Sequence, residues 1–264
     1  MKVSHEVPLS MLKESLAFND YDYALVHLFE ECPEYFQFYK DSINNGRHVL
    51  LDNSLFELGT AFNEDEFAKW ITKLKPTEYI IPDSMNDSIG TINNLHSWIS
   101  KYNNLPGKKI GVVQGATFED MVVCYRELDK FVDKIAISFG YSYFNLTPHP
   151  NKHVKMMLGR INLLGKLLEN KVINVNKPHH LLGNSLPIEG KFYNQYNWIE
   201  SVDSSSPIVH AIKKIKYEPN FGLYSKEPQK LNELINFPLE EIDLDLLNHN
   251  VREFKKYWNK NSFY

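Results

Sequence analysis

The strongest constraint on the fold is a regular alternation of short apolar segments with longer amphipathic ones. The apolar segments are rich in Ile, Val and Leu, and they lie at positions 24–29, 48–52, 78–83, 109–115, 134–140, 179–184 and 198–203. Continuous apolar runs of this length are typical of strands that are buried on both faces of a parallel sheet. Because the strands alternate with helices, the sequence predicts an α/β protein, and a (β/α)8 barrel of the TIM type before an open sheet.

Helix start signals between the apolar segments support this fold. Asn63 and Thr117 each precede an acidic first turn and an apolar stripe, which is the pattern of an N-cap at the positive end of a helix dipole. Two longer amphipathic patterns predict a helix over residues 151–169 and a closing helix at about 244–258.

The predicted barrel is irregular at its last strand. Residues 216–224 are the candidate eighth strand, although Pro219 and Gly222 weaken the strand pattern there. The hydrophobic share of 43% is ample for a large core, so we expect one barrel domain over residues 1–264.

Cysteine content and the length of the apolar runs favour a cytoplasmic protein without membrane attachment. Cys32 and Cys124 are too few for a disulfide framework or a four-cysteine zinc site. The sequence MKVSHEVPLS has no signal-peptide core, and the longest apolar stretches are shorter than the roughly 20 residues that a membrane span needs.

Charge is distributed unevenly along the chain. Residues 1–150 carry 13 Lys and Arg against 21 Asp and Glu, whereas residues 151–264 carry 16 against 12. Lys213, Lys214 and Lys216 form a basic cluster that is a candidate for nucleic-acid binding. A solvated helix face explains such a cluster equally well.

Polar side chains follow four of the predicted strands. They are Asp52, Asp83, Gln114 and Asp203, each directly after an apolar run. In a barrel the carboxyl ends of the strands meet at one face, so we expect these groups to surround one polar pocket. Each also has an ordinary explanation, as a helix cap, a turn residue or a partner for buried backbone groups.

The order of these segments resembles the guanine transglycosylase family, whose members exchange a genetically encoded guanine for a 7-deazaguanine. The resemblance covers about residues 45–212 and rests on six segments, LLDNSLFELG, IIPDS, GVVQGATFEDMVVCYREL, AISFGYS, HHLLGNS and VDSSS. The third is similar to the family's Gly-Ile-Val-Gln-Gly strand and the helix after it. The last is similar to the archaeal-type Phe-Asp-Ser-Ala-Ser around the nucleophile.

The resemblance implies a role for each site residue. Asp203 would attack the sugar C1′ and hold the sugar as a covalent ester, while Asp52 would act as the general base. Asp83 and Gln114 would read the edge of the purine. The residues implied for the rest of the base pocket are Phe139, Gly140, Leu182 and Gly183, with the backbone near the first two donating to the purine carbonyl. No cofactor and no metal ion is implied.

Departures from the family pattern point to its DNA-acting branch. Asn53 and the Leu55-Phe56 pair replace the usual Ser-Gly-Gly after Asp52, and no cysteine follows Cys124, so the zinc subdomain of the tRNA-acting members is missing. The DNA-acting branch inserts 7-deazaguanines such as preQ0 into phage or bacterial genomes as protection from restriction. We therefore expect a phage-type enzyme whose partners are DNA and a 7-deazaguanine base, working in the host cytoplasm.

Other interpretations stay open at this point. The main alternatives are a tRNA-guanine transglycosylase without the zinc subdomain, a non-catalytic binding subunit, and an unrelated barrel enzyme acting on a nucleoside or sugar. A homodimer or an accessory protein would suit the family. Histidines at positions 149, 153, 179 and 180 offer a metal-site alternative, but no acidic ligand stands at a diagnostic spacing. Aromatic residues at 141, 143, 144, 193, 196 and 198 would stack against displaced bases or fill the core.

Overall fold

The computed structural model describes residues 1–184, 186–219, 222–227, 229 and 231–259. Eight strands form one sheet: β1 (Lys2–Ser4), β2 (Asp22–Leu25), β3 (Val49–Asp52), β4 (Glu78–Ile80), β5 (Lys108–Val112), β6 (Lys134–Ser138), β7 (His179–Leu182) and β8 (Ile199–Asp203). Their spatial order is β1-β8-β7-β6-β5-β4-β3-β2, and every pair is parallel. The predicted (β/α)8 barrel is confirmed.

The barrel has an irregular seam between β1 and β2, which are its two sheet edges. Asp20 bridges this seam, because its backbone N–H donates to the carbonyl of Val3 at 3.0 Å. Its carboxylate accepts from the backbone N–H of Val3 at 2.8 Å. One residue just before β2 therefore supplies the backbone contacts that strand pairing supplies elsewhere in the barrel.

The helices alternate with the strands along the chain. They are α1 (Leu12–Ser15), α2 (Leu28–Glu31), α3 (Pro33–Asn44), α4 (Leu55–Leu58), α5 (Glu64–Leu74), α6 (Ser88–Lys101), α7 (Phe118–Phe131), α8 (Lys152–Glu169), α9 (Ser206–Ile212) and α10 (Leu244–Trp258). The predicted caps are confirmed: Asn63 accepts from two N–H groups of α5, and Thr117 forms a capping box with Asp120 at α7. The closing helix at about 244–258 is confirmed as α10.

The placement of the eighth strand at residues 216–224 was wrong. The described part of that segment holds an isolated bridge between Glu218 and Gly222 but no strand. The missing strand is β1 at the start of the chain, which pairs with β8 through the register Ser4 to Asp203. A strand of three residues is too short to show periodicity, so the sequence pattern gave no sign of it.

The seven predicted strands are all present, but most are shorter than their apolar runs. The run at 78–83 forms a strand only to Ile80, and the run at 109–115 only to Val112. The run at 24–29 contributes its start to β2 and its end to α2. Because the strands stop early, Asp83 and Gln114 lie in the loops just beyond them. Among the described residues, no helix is long and apolar enough to cross a membrane.

Candidate functional site

A cavity of about 640 Å³ lies at the carboxyl ends of the strands. It is lined by all eight residues predicted for catalysis and base binding, namely Asp52, Asp83, Gln114, Phe139, Gly140, Leu182, Gly183 and Asp203. Strand ends that are distant in sequence converge here because the parallel strands of a barrel all end at the same face. The volume lies within the range of ordinary small-ligand pockets.

Asp203 is held at one of its two carboxylate oxygens. Its Oδ1 accepts from the backbone N–H of Gly183 at 2.9 Å and lies 3.0 Å from Nε2 of His180. The other ring nitrogen of His180 contacts the hydroxyl of Ser201 at 2.9 Å, across the neighbouring strands β7 and β8. Among the described residues, no donor contacts Oδ2 of Asp203. The hydrogen bonds at Oδ1 therefore fix the orientation of the carboxylate, and Oδ2 is left available to react.

Asp203 does not cap the helix that follows it. At the start of α9 the backbone N–H of Ser206 donates to the hydroxyl of Ser204 at 3.2 Å. Asp203 itself is only 3% exposed and contacts His180 and Gly183 on the other side. The helix-cap interpretation of this aspartate was wrong, because among the described residues no N–H group of α9 donates to its carboxylate.

Asp52 is a buried carboxyl whose pKa lies well above its usual range. Burial is the main cause, and the nearby carboxylate of Glu57 adds to it. Hydrogen bonds from the hydroxyl of Tyr23 to Oδ2 and from the backbone N–H of Ser54 to Oδ1, each 2.5 Å long, act in the opposite direction. The raised pKa favours the protonated form, which suits a group that gives and takes protons.

Asp83 and Gln114 form one hydrogen-bonded unit. Nε2 of Gln114 donates to one oxygen of Asp83 at 2.7 Å, and Nδ2 of Asn53 donates to the other at 2.8 Å. Oε1 of Gln114 accepts from the backbone N–H of Asn86 at 2.8 Å, which fixes the orientation of the amide. Burial raises the pKa of Asp83 to about 6, although both amide donors oppose the rise. Asn53 thus links the loop after β3 to the loop after β4.

The backbone near Phe139 is already engaged within the protein. Its N–H donates to the carbonyl of Leu182 at 3.0 Å, and the N–H of Gly140 donates to the hydroxyl of Ser138 at 3.3 Å. The expectation that the N–H of Phe139 donates to a purine carbonyl is therefore wrong for this geometry. Gly140 is exposed at the cavity, and its longer hydrogen bond is the easier of the two to exchange for a ligand.

Gly183 is required by both its backbone angle and its neighbour. Its φ is +61°, and a Cβ there would lie 2.4 Å from the ring of Phe139. We expect Gly183→Ala to lower the free energy of unfolding by about 1–3 kcal/mol, because the ring must move and the left-handed backbone is strained. Urea unfolding measures this change. Gly140→Ala is the matched control, since a Cβ at Gly140 would meet nothing within 4 Å. Equal losses in the two variants would contradict the steric argument.

A buried ion pair supports the turn after β7. Arg160 on α8 donates through Nε to Glu189 at 2.6 Å, and through Nη1 to the carbonyls of Leu182 and Gly183 at 3.1 and 3.0 Å. The same glutamate accepts from the hydroxyl of Tyr193 at 2.7 Å. This network fixes the backbone that donates to Asp203.

Most of the aromatic candidates for base stacking are core residues. Those that are buried are Tyr141, Phe144, Tyr193 and Trp198. Tyr143 and Tyr196 are half-buried and line a separate groove of about 580 Å³ beside α8.

The sequence patterns did not single out Glu6 and Lys226, which both line the cavity. Glu6 follows β1, and burial together with the charges of Asp203, Glu57 and Asp52 raises its pKa well above the usual range. Lys226 lies between α9 and α10 and also lines the cavity. Neither follows a recognisable strand in the sequence, so no local pattern marks them.

The predicted basic cluster lies apart from the cavity. Lys213 and Lys214 are exposed just beyond the C-terminal end of α9, which runs away from the cavity face after β8, and Lys216 is exposed in the following segment. None of the three lines the cavity. The cluster therefore does not contact a ligand within it.

The four histidines do not form a metal site. Within the described ranges, no group of three or more His, Cys, Asp or Glu side chains is arranged to hold a metal ion. His179 contacts the hydroxyl of Tyr125 and the carbonyl of Lys177, both at 2.9 Å, and burial lowers its pKa to about 4. It is a core residue, whereas His180 faces Asp203.

Comparison with models of known protein families finds no match, and comparison with curated proteins finds no similar protein either. The resemblance to the guanine transglycosylases therefore rests on the six sequence segments.

Proposed function

We propose that this protein exchanges guanine in DNA for a 7-deazaguanine base through a covalent intermediate on Asp203. The observation that carries the proposal is the state of the Asp203 carboxylate: Oδ1 is held by Gly183 and His180, and Oδ2 accepts from no described residue. A nucleophile needs this combination of fixed orientation and one available lone pair. DNA is the proposed partner, and the host cytoplasm the proposed compartment.

In the first half of the reaction, Oδ2 of Asp203 attacks C1′ of the target nucleotide. The bond from C1′ to N9 of guanine breaks, and its electron pair leaves with the base. Protonated Asp52 supplies the proton that the departing guanine needs. The products are a sugar ester on Asp203, a neutral guanine and an ionised Asp52. Carboxylates act in this way on the similar anomeric carbon of glycosidase substrates.

In the second half, the incoming base replaces guanine. Ionised Asp52 takes the proton from N9 of the 7-deazaguanine, and N9 then attacks C1′. The ester bond breaks, and Asp203 regains its carboxylate. A group that gives one proton to the departing base and then takes one from the incoming base works best when its pKa is raised toward neutrality, which agrees with the direction at Asp52.

Asp83 and Gln114 are suited to recognise the base. Guanine presents two neighbouring donors, N1–H and the exocyclic amino group, and a carboxylate can accept both at once. A 7-deazaguanine presents the same edge, so one pocket would take the departing and the incoming base in turn. Amide groups of Asn53 and Gln114 hold the Asp83 carboxylate in place for this task.

The function is tested with DNA and tRNA that carry radiolabelled guanine. Each is incubated with the protein and a 7-deazaguanine base such as preQ0, and released label is counted. Release from DNA supports the proposal, whereas release only from tRNA keeps the mechanism and assigns the substrate to the zinc-free tRNA alternative. A folded protein that releases label from neither, with or without a candidate accessory protein, would favour a binding subunit instead.

We expect guanine affinity to fall as the pH drops below about 6. Asp83, whose pKa is about 6, accepts two hydrogen bonds from guanine only when it is ionised, so binding is retained above this pH and lost below it. Asp83→Asn should bind guanine about 10- to 100-fold more weakly at pH 7.5. The guanine affinity of Asp83→Asn should also no longer fall as the pH drops below about 6. Isothermal titration calorimetry between pH 5 and 8 measures the affinity and its dependence on pH. If Asp83→Asn kept the same change in affinity near pH 6, that change would belong to another titrating group.

A further inference from the structure

Lys226 is an ammonium group at the cavity that the proposed reaction does not use. Its Nζ donates to the carbonyl of Asn184 at 3.1 Å and lies 5.0 Å from the ring centroid of Phe139. These two contacts hold the amine beside the turn after β7, which also supplies the N–H group to Asp203. Among the described residues, Nζ makes one hydrogen bond, so two of its three donors are available to a ligand.

The cavity has more acidic than basic side chains in its lining, so a phosphate group could enter it only beside a cation such as Lys226. Six carboxyl side chains line the cavity, from Glu6, Asp52, Glu57, Asp83, Asp203 and Glu227, against two lysines, Lys152 and Lys226. The raised pKa values of Glu6 and Asp52 favour their protonated forms, so these two add little negative charge, but the other four still outnumber the lysines. A nucleic-acid strand brings a negative phosphate on each side of every sugar. Such a strand would be repelled by an acidic cavity unless a cation met its phosphate. Lys152 is exposed at the start of α8, whereas Lys226 is half-buried, where a charge pair is screened less.

Lys226 and Asp203 line the same cavity and contact consecutive residues of the turn after β7, Asn184 and Gly183. Burial lowers the pKa of Lys226, and the carboxylates of Glu6 and Asp203 oppose this by favouring its charged form. Asp203 would attack C1′, and the phosphates of the same nucleotide are attached to the same sugar. A cation that lines the same cavity as the nucleophile can therefore meet a phosphate that flanks the target base.

We propose that Lys226 binds a phosphate group flanking the target nucleotide, so that the cavity prefers a nucleotide to a nucleoside or free base. This inference rests on the proposed function, because it takes Asp203 as the group that faces C1′. It assigns nucleic-acid recognition to the segment at 222–227 rather than to the exposed cluster at Lys213 and Lys214. The segment lies outside the part of the chain that resembles the transglycosylases.

The test compares four ligands that differ in stepwise fashion: guanine, deoxyguanosine, and the 5′- and 3′-monophosphates of deoxyguanosine. Isothermal titration calorimetry on the whole protein gives the affinity for each. We expect at least one monophosphate to bind wild type about tenfold more tightly than deoxyguanosine, because a charge-assisted hydrogen bond is gained. Lys226→Met should abolish this gain, taken as the ratio of monophosphate to deoxyguanosine affinity within the same variant, whereas Lys226→Arg should retain most of it.

Lys213→Met is the matched control, since Lys213 is exposed and lies outside the cavity lining. It should keep the full gain from the phosphate, and thermal unfolding confirms that each variant is folded. A protein that binds guanine but gains nothing from either phosphate would overturn the role of Lys226 and leave the proposed function standing. If Lys226→Met still bound a monophosphate about tenfold more tightly than deoxyguanosine, the proposed role of Lys226 would also be overturned. Absence of guanine binding itself would count against the proposed function.

Discussion

Asp203→Ala should abolish base exchange, with the rate of guanine release falling by at least about 10³-fold. The variant removes the atom that forms the ester with C1′, so no other group in the cavity replaces it through a small shift. Asp203→Asn should be nearly as inactive. Its amide oxygen can still accept from the N–H of Gly183, but an amide is a far weaker nucleophile than a carboxylate. The two variants together separate loss of the nucleophile from loss of the hydrogen bonds at Oδ1.

Single-turnover release of labelled guanine from DNA measures the rate. Without an incoming base, wild type should also form a DNA-protein adduct that survives a denaturing gel, and both variants should not. Asp41→Ala is the matched control: Asp41 is exposed on α3, where it contacts Gln37, and the variant should keep full activity. Release by Asp203→Ala at more than a tenth of the wild-type rate would assign the reaction to another residue.

The barrel could be predicted because its information is local. Each of the seven apolar runs contains enough residues to show a pattern, and capping side chains such as Asn63 and Thr117 act within one helical turn. The positions of Asp52, Asp83, Gln114 and Asp203 followed from the same rule, since parallel strands of a barrel bring their carboxyl ends to one face. Which of these groups would react, however, was suggested by the resemblance and not by the pattern.

The rest of the site depends on contacts between residues that are far apart in sequence. β1 has three residues and is recognisable only by its pairing with β8, almost 200 positions later. Glu6 enters the cavity because of that pairing, and Lys226 because a segment near the end of the chain returns to the turn after β7. The engagement of the N–H of Phe139 by Leu182 depends on the register of β6 and β7. No local pattern encodes any of these.

At the start of the strands, a buried ion cluster should contribute strongly to stability. Nζ of Lys134, the first residue of β6, lies 2.6–2.7 Å from both carboxylate oxygens of Glu78, the first residue of β4, and 2.7 Å from Glu200 on β8. The side chains of Lys134 and Glu78 are 4% and 2% exposed, and His48 also contacts Glu78. Removing the ammonium leaves the Glu78 carboxylate buried with one cationic partner fewer.

We expect Lys134→Met to lower the free energy of unfolding by about 3–5 kcal/mol at pH 7, as measured by urea unfolding. Lys130→Met is the matched control, because Lys130 pairs with Glu127 on the surface of α7 and its side chain is 61% exposed. Surface pairs contribute about 0–1 kcal/mol, so this variant should stay close to wild type. Similar losses in both variants would show that burial of the cluster adds nothing.

The loss in Lys134→Met should also depend on pH in a defined direction. Burial alone would raise the pKa of Glu78, but hydrogen bonding from His48 and the charge of Lys134 lower it to about 2, against 4.5 for a free glutamate. A carboxyl whose pKa is lower in the folded state stabilises the fold above about pH 4.5, and this contribution is lost as the pH falls toward 2. The shift corresponds to about 3 kcal/mol at pH 7 and to about half of that at pH 3. Lys134 causes part of this shift, beside His48, so the difference between wild type and Lys134→Met should shrink as the pH falls from 7 to 3. A difference that stays constant would place the effect of Lys134 in packing of its aliphatic stem instead of in its charge.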